Sequence, residues 1–75
     1  MIAFTIYAQD RLETVFRCWD GHFGDGLYWD VYEYLTHRFG LEHEEAESAV
    51  SWCELACIGE CYEGDGFEIL IEEDD

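Results

Sequence analysis

Apolar residues in the middle of the chain recur at the spacing of one buried helical stripe, which predicts a helix from Asp25 to Phe39. Asp25 is a residue type that caps helix N-termini, and Gly40 stands where a left-handed C-terminal cap belongs. Three aromatic residues turn to other faces, so this helix is either covered on two sides or presents aromatic side chains to a partner. The stripe contains Leu27, Val31, Leu35 and Arg38, with Tyr34 beside it. The aromatic residues off the stripe are Tyr28, Trp29 and Tyr32.

The residues before this helix predict a strand and a short helix. From Ile2 to Tyr7 the buried-type residues alternate with the period of two that is typical of a strand with one buried face. Asp10 is a suitable cap for a short helix, and Gly21 is a suitable end for it. The apolar stripe of this short helix contains Leu12, Val15, Phe16 and Trp19.

A third helix and a β-hairpin are predicted after Gly40. The helix runs from Glu42 to Cys57, with acidic residues in its first turn that complement the positive helix end. Two short strands, Glu60–Glu63 and Phe67–Glu72, flank Gly64-Asp65-Gly66, a turn that favours a hairpin. The buried stripe of the third helix contains Ala46, Ala49, Val50, Cys53 and Cys57.

Together these elements predict one α+β domain over residues 1–75, in the order β-α-α-α-β-β. We expect a small antiparallel or mixed sheet with the first strand beside the last, and helices packed on one face. A folded chain is expected despite the charge, because 49% of the residues are hydrophobic and 17% are aromatic.

The net charge of the chain limits the classes of function that the protein can have. Nineteen acidic residues face three arginines and no lysine, and the formal net charge is -16. A compact chain of this length has a radius of gyration of about 11 Å and a diameter of roughly 29 Å. About 27 Å of duplex DNA carries on the order of 16 charges. The protein therefore matches DNA in charge per unit length, and we expect no direct binding of nucleic acid.

Cysteine and histidine are the candidates for metal or catalytic chemistry. Cys53, Cys57 and Cys61 are spaced four residues apart, and two thiols on one helical face can ligate a metal, but a second ligand pair is missing. The preferred interpretation is that the cysteines fill the core, with a metal or redox role as the alternatives. No histidine stands in a nucleophile motif, and a small filled core leaves little room for a substrate pocket. We expect no catalytic residues, no bound metal and no cofactor.

The N-terminal residues lack the basic start and long apolar run of a signal peptide. No stretch approaches membrane-spanning length. The four cysteines are then best interpreted as those of a reduced, cytoplasmic protein.

Acidic residues occur in every predicted element after the first strand, and three arginines cannot pair with most of them. A surface of unpaired carboxylates attracts a basic protein surface over a distance and speeds association. Aromatic residues supply the desolvated anchors that charges alone do not give. The candidate partner-binding carboxylates are Asp30, Glu33, Glu44, Glu47, Glu54, Glu68 and Glu72, and the candidate anchors are Trp29 and Tyr32.

In size, lack of lysine and excess of Asp and Glu, the chain resembles the small acidic inhibitors encoded by phages and mobile elements, the DNA-mimic anti-restriction and anti-CRISPR proteins. The resemblance covers the whole chain in composition and includes no diagnostic motif. It implies acidic side chains that stand in for phosphates and occupy the DNA-binding groove of a restriction enzyme or a CRISPR surveillance complex. It leaves open which defence system and subunit are bound, whether DNA binding or cleavage is blocked, and whether the protein is a monomer or a dimer.

Two alternatives remain. An acidic adaptor or antitoxin-like protein neutralises one basic partner through an aromatic contact centred on Trp29 and Tyr32, so its binding survives high salt. A small domain adapted to a salt-rich cytoplasm is also acidic and poor in lysine, although 12 Glu against 7 Asp and 13 aromatic residues are unusual for that class.

Overall fold

Two helices and a four-stranded antiparallel sheet form the computed structural model, which describes residues 1–19 and 23–74. The sheet has the order β2-β1-β4-β3, so the first strand lies beside the last, as the sequence predicts. The α+β class and an antiparallel sheet are therefore confirmed, whereas two helices replace the three expected. The elements are β1 (Ile2–Ala8), β2 (Arg11–Cys18), α1 (Asp25–Phe39), α2 (His43–Leu55), β3 (Cys61–Glu63) and β4 (Glu68–Glu73).

The predicted short helix was wrong, because those residues form strand β2. Gln9 and Asp10 have φ values of 53° and 63°, and these left-handed conformations form the two-residue turn between β1 and β2. Asp10 therefore lies in a hairpin turn rather than at a helix cap. The predicted end at Gly21 falls outside the described residues, and Trp19, assigned to the buried stripe, is 64% exposed.

A β-bulge in β2 explains why its sequence resembles a helix. Tyr7 of β1 pairs with Leu12, whereas Thr5 pairs with Val15, so one extra residue is inserted in β2 between these pairs. The insertion places Leu12 and Val15, which are three residues apart, on the same face of the sheet. A spacing of three is also the spacing of a helical stripe, so the sequence pattern favoured the wrong element.

The bounds predicted for α1 are confirmed, and Gly40 adopts the expected left-handed cap with a φ of 66°. The N-cap is Gly24, without a side-chain hydrogen bond, so the capping role predicted for Asp25 was wrong and Asp25 lies in the first turn. Val31 and Leu35 are buried, as expected from the stripe. Arg38 is exposed at the flank of the helix and pairs with Glu13 of β2.

Helix α2 is shorter than predicted. Ala56 leaves the helical conformation with a ψ of 155°, although its backbone N–H still donates to the Trp52 carbonyl. Cys57 consequently lies outside the helix and is exposed, so its assignment to the buried stripe was wrong. The other four residues of that stripe are buried: Ala46, Ala49, Val50 and Cys53.

Strands β3 and β4 form the predicted hairpin, in which Cys61 pairs with Leu70 and Glu63 with Glu68. The Gly64 N–H donates to the Phe67 carbonyl at 2.8 Å and closes the turn. Phe67, directly before the last strand, and Ile69 and Ile71 within it lie toward the helices and are buried.

Both helices pack on one face of the sheet, and the opposite face, here called the open face, has no covering element among the described residues. The strand register places these residues on it: Ala3, Thr5, Tyr7, Leu12, Val15, Arg17, Cys61, Glu63, Glu68, Leu70 and Glu72. The Cα radius of gyration is 11.2 Å, close to the size expected for the chain length, and the extents are 30 × 27 × 16 Å.

Candidate partner-binding surface

The two helices lie side by side and present most of the predicted partner-binding residues on one outer surface, the helical face. Its carboxylates are all exposed, and they come from the outer sides of both helices. The helical face consists of Trp29, Asp30, Tyr32, Glu33, His43, Glu44, Glu47 and Glu54. Seven of the nine predicted residues thus lie on the exposed sides of α1 and α2, and the contact of Tyr32 with His43 joins the two helices there.

The arginine ion pairs found among residues 1–19 and 23–74 lie elsewhere. Arg17 pairs with Asp74 at the end of the sheet, and Arg38 pairs with Glu13 between α1 and β2. The Tyr34 hydroxyl also donates to Glu13, and the pKa of Tyr34 is raised by its burial first and by the Glu13 charge second. Neither arginine pair includes a carboxylate of the helical face, which keeps its negative charge available to a partner.

Aromatic rings run in series across the helical face. The ring centroids of Tyr28 and Trp29 are 5.2 Å apart, those of Trp29 and Tyr32 are 5.3 Å apart, and those of Tyr32 and His43 are 5.6 Å apart. All three contacts are edge-to-face, the arrangement that the charge distribution of aromatic rings favours. Trp29 is 53% exposed and does not belong to the core, which suits it to a binding anchor.

A hydrogen-bond network fixes Tyr32 at the junction of the two helices. Its hydroxyl lies 2.7 Å from His43 Nδ1, and His43 Nε2 lies 3.0 Å from a carboxylate oxygen of Glu47. An ionised carboxylate only accepts hydrogen bonds, so in the neutral imidazole Nε2 carries the proton and Nδ1 accepts the proton of the Tyr32 hydroxyl. The network orients the Tyr32 ring and links α1 to the first turns of α2.

Glu68 and Glu72, the two remaining predicted residues, lie on the open face, on the other side of the molecule from the helical face. Glu72 accepts a hydrogen bond from the Thr5 hydroxyl at 3.2 Å. Glu68 lies directly across from Glu63, and like charges in that position are destabilising. One flat partner surface cannot contact both faces at once, so the nine predicted residues divide into two surfaces.

The three cysteines near the C-terminus do not share one site. Cys53 is buried, whereas Cys57 and Cys61 are exposed. Burial raises the pKa of the Cys53 thiol to about 12, with a smaller contribution from Glu54. Cys61 is exposed, but partial desolvation of its thiol, together with the nearby Glu68 and Glu63, raises its pKa too. Across the described ranges, no group of three or more His, Cys, Asp or Glu side chains is arranged to hold a metal ion.

Sequence reasoning missed one member of the aromatic series, His43, as part of the surface. Tyr28 was expected with Trp29 and Tyr32 among the aromatic residues offered to a partner, whereas His43 was considered only for metal or catalytic chemistry. The four-residue spacing of His43 and Glu47 places them on one helical face, and this spacing was the available signal. The contact of His43 with Tyr32 depends on how the helices pack and has no sequence signal.

No protein-family model matches the chain, and comparison with curated proteins and with solved structures found no significant similarity. In the described part of the chain, neither helix has the length and apolar character required to cross a membrane.

Proposed function

We propose that this protein is an acidic inhibitor that binds a basic, nucleic-acid-binding surface of a host defence complex and keeps DNA from binding there. The observation that carries the proposal is the helical face. On it, five carboxylates from two helices stand beside an exposed tryptophan, and the arginine pairs of the described residues lie elsewhere. Such a surface offers a basic groove both the charge and the desolvated anchor that stable binding requires.

The dimensions of the protein support mimicry of a short duplex. The described residues extend 30 Å along the longest axis, and the chain carries a formal charge of -16. This length is a little less than one turn of duplex DNA, roughly 34 Å, and about 27 Å of duplex carries on the order of 16 phosphate charges. A groove shaped for one turn of DNA therefore accommodates a body of this length and charge.

The partner in this proposal is a CRISPR surveillance complex or a restriction enzyme in the host cytoplasm. Guide–target duplexes in CRISPR effectors lie in positively charged channels that read backbone geometry, so a negatively charged body of the right size competes for them. The proposal contains no chemical step, no metal and no cofactor. The carboxylates act by occupying the sites where phosphates bind.

The test compares two triple charge reversals that change the net charge equally. The first replaces Glu44, Glu47 and Glu54 of the helical face with lysine. The second replaces Glu63, Glu68 and Glu72 of the open face. A purified surveillance complex and a purified restriction enzyme are each incubated with a fluorescent duplex that contains their target. Displacement of the duplex by each protein is then followed by fluorescence anisotropy at low and high salt.

We expect the unaltered protein to displace the duplex from at least one complex, less well at high salt because screening weakens charge pairing. The helical-face variant should require at least about tenfold more protein, since each lost charge pair contributes up to ~1 kcal/mol and each lysine adds repulsion. The open-face variant should remain within a few-fold of the original. Equal losses in both variants would show that only net charge matters, and unchanged displacement by the helical-face variant would refute mimicry by that face.

The exposed Trp29 favours one second candidate, an adaptor that neutralises a single basic protein through an aromatic contact. Under that function, Trp29→Ala weakens binding more than the helical-face charge reversal does, and high salt leaves binding intact. The same anisotropy experiment, with the Trp29→Ala chain added, distinguishes the two functions.

A further inference from the structure

Three aromatic rings at the start of α1 form one contiguous aromatic surface around the exposed Trp29. The Tyr28 ring is inclined by 72° to the Trp29 ring, and the Tyr32 ring is inclined by 79° to it, at centroid distances of 5.2 and 5.3 Å. Trp29 keeps 53% of its surface exposed, so its ring is accessible from solvent. Aromatic rings grouped in this way bind cationic groups through the negative potential of their faces.

The surroundings of the three rings favour a cation over a neutral apolar group. Glu33 is exposed four residues after Trp29, and Glu47 is exposed and bonded to His43, which contacts the Tyr32 ring. The nearest arginine along α1, Arg38, is already engaged, since it pairs with Glu13 and its guanidinium lies 5.1 Å from the centre of the Phe39 ring. An incoming cation is therefore attracted by both the carboxylates and the rings.

The Tyr32 ring is held in place before any ligand arrives. Its hydroxyl is bound by His43 Nδ1, and His43 is bound through Nε2 by Glu47. These bonds restrict the rotation of the Tyr32 ring, which also packs edge-to-face against Trp29 and His43. A Tyr32 ring that is already fixed lowers the conformational cost of binding, because less side-chain freedom is lost when the ligand binds.

We propose that Tyr28, Trp29 and Tyr32 form a receptor for an arginine side chain of the partner. A planar guanidinium stacks on aromatic rings and at the same time donates paired hydrogen bonds to a carboxylate, which an ammonium group cannot do in the same geometry. This inference rests on the proposed function, because it names the group in the basic partner surface that the helical face binds.

The experiment uses two small probes of nearly the same shape, one with a charged guanidinium and one with a neutral urea group. The first is the tripeptide acetyl-Gly-Arg-Gly-amide, and the second is the same tripeptide with citrulline, the uncharged analogue of arginine, in place of the arginine. Each is titrated into the isotope-labelled protein, and the Trp29 indole N–H resonance, assigned from a Trp29→Phe spectrum, is followed by NMR. Trp29→Leu serves as the site variant. It removes the ring and keeps the charge, and Trp29 lies outside the core, so the fold is retained.

We expect the arginine peptide to shift the Trp29 and tyrosine ring resonances in a saturable way, and the citrulline peptide to shift them at least about threefold less at equal concentration. Trp29→Leu should lose the saturable shifts at Tyr28 and Tyr32. Tyr32→Phe, which keeps the ring and loses the bond to His43, should still respond with weaker affinity. Equal shifts from both peptides, or unchanged tyrosine shifts in Trp29→Leu, would overturn the proposal.

A control variant, Glu68→Gln with Glu72→Gln, lowers the charge of the open face and should leave the arginine response unchanged. The failure of this inference is distinguishable from failure of the proposed function. If the arginine peptide gives no specific shift while the helical-face charge reversal still abolishes DNA displacement, only the receptor is refuted. If the peptide binds as expected and DNA is never displaced, the receptor stands and the inhibitor function is refuted.

Discussion

The ring of Phe67 fills the space that a side chain on Gly64 would need. A Cβ atom built on Gly64 would lie 2.2 Å from two ring carbons of Phe67. The ring cannot move away cheaply, because it is only 4% exposed and stacks on Phe39 and Tyr62. We therefore expect Gly64→Ala to lower the free energy of unfolding by about 1–3 kcal/mol, the usual cost of overpacking a core. Urea denaturation measures the change.

Gly26 supplies the matched control for this substitution. It lies in the first turns of α1, where a Cβ atom would meet nothing within 4 Å. Gly26→Ala should therefore raise stability by about 0.5–1 kcal/mol, since glycine is a poor helix former. A loss of stability in both alanine variants would contradict this account of the hairpin turn.

Substitutions that favour positive φ at Gln9 and Asp10 should stabilise the turn between β1 and β2. Gln9 and Asp10 both have positive φ, which asparagine and glycine adopt at lower cost. The double variant Gln9→Asn, Asp10→Gly should raise the free energy of unfolding by roughly 0.5–1 kcal/mol. Thermal unfolding monitored by circular dichroism checks this. A lower stability would contradict the two-residue turn and would favour the helix that the sequence predicts for this segment.

The cysteines should differ in their reactivity toward iodoacetamide. Only the thiolate reacts. Cys57 and Cys61 are exposed, but the pKa of Cys61 is raised by partial desolvation and by nearby carboxylates, and that of the buried Cys53 is raised to about 12. At pH 8 we expect Cys57 to be modified first, Cys61 more slowly, and Cys53 only after unfolding. Peptide mass spectrometry at successive times gives the order, and early modification of Cys53 would contradict its buried position.

The raised pKa of Cys53 also predicts a pH dependence of stability. The ordinary value is 9.0 and the folded value about 12, so between these pH values the folded state keeps a proton that the unfolded state has lost. The contribution of this thiol is complete below about pH 9 and is lost as the pH rises toward 12. Urea denaturation at pH 8 and pH 10.5 should show a smaller decrease in stability for Cys53→Val than for the original chain.

Added salt should raise the stability of the fold and weaken the binding of a basic partner. A well-buried hydrophobic core stabilises the fold at low salt, since Ile6, Leu35 and Ile69 are fully buried. We expect the protein to be folded at about 10 mM NaCl and to gain stability toward 0.5 M, as screening reduces repulsion among its carboxylates. Binding to a basic partner should weaken over the same range. A chain that unfolds at low salt would instead support adaptation to a salt-rich cytoplasm.

Local sequence patterns were sufficient to predict α1, the buried residues of α2 and the β3–β4 hairpin. Each of these depends on interactions between residues close in the chain: a period of three to four, a glycine cap at Gly40, and a glycine-rich turn at 64–66. The same reasoning failed for β2. A bulge there changes the period of the strand from two to three, and the Gln9-Asp10 turn lacks the usual asparagine or glycine.

The sequence by itself determined the charge of the surface, the α+β class, the limits of α1 and which residues are acidic and exposed. These follow from composition and from short-range periodicity. Only the tertiary structure decided that Trp29 is linked to Glu47 of α2 through Tyr32 and His43, and that Glu68 and Glu72 lie on the open face of the sheet. Those relationships depend on how α1 packs against α2 and on which face of the sheet the helices cover. Such long-range contacts leave no periodic trace in a single chain.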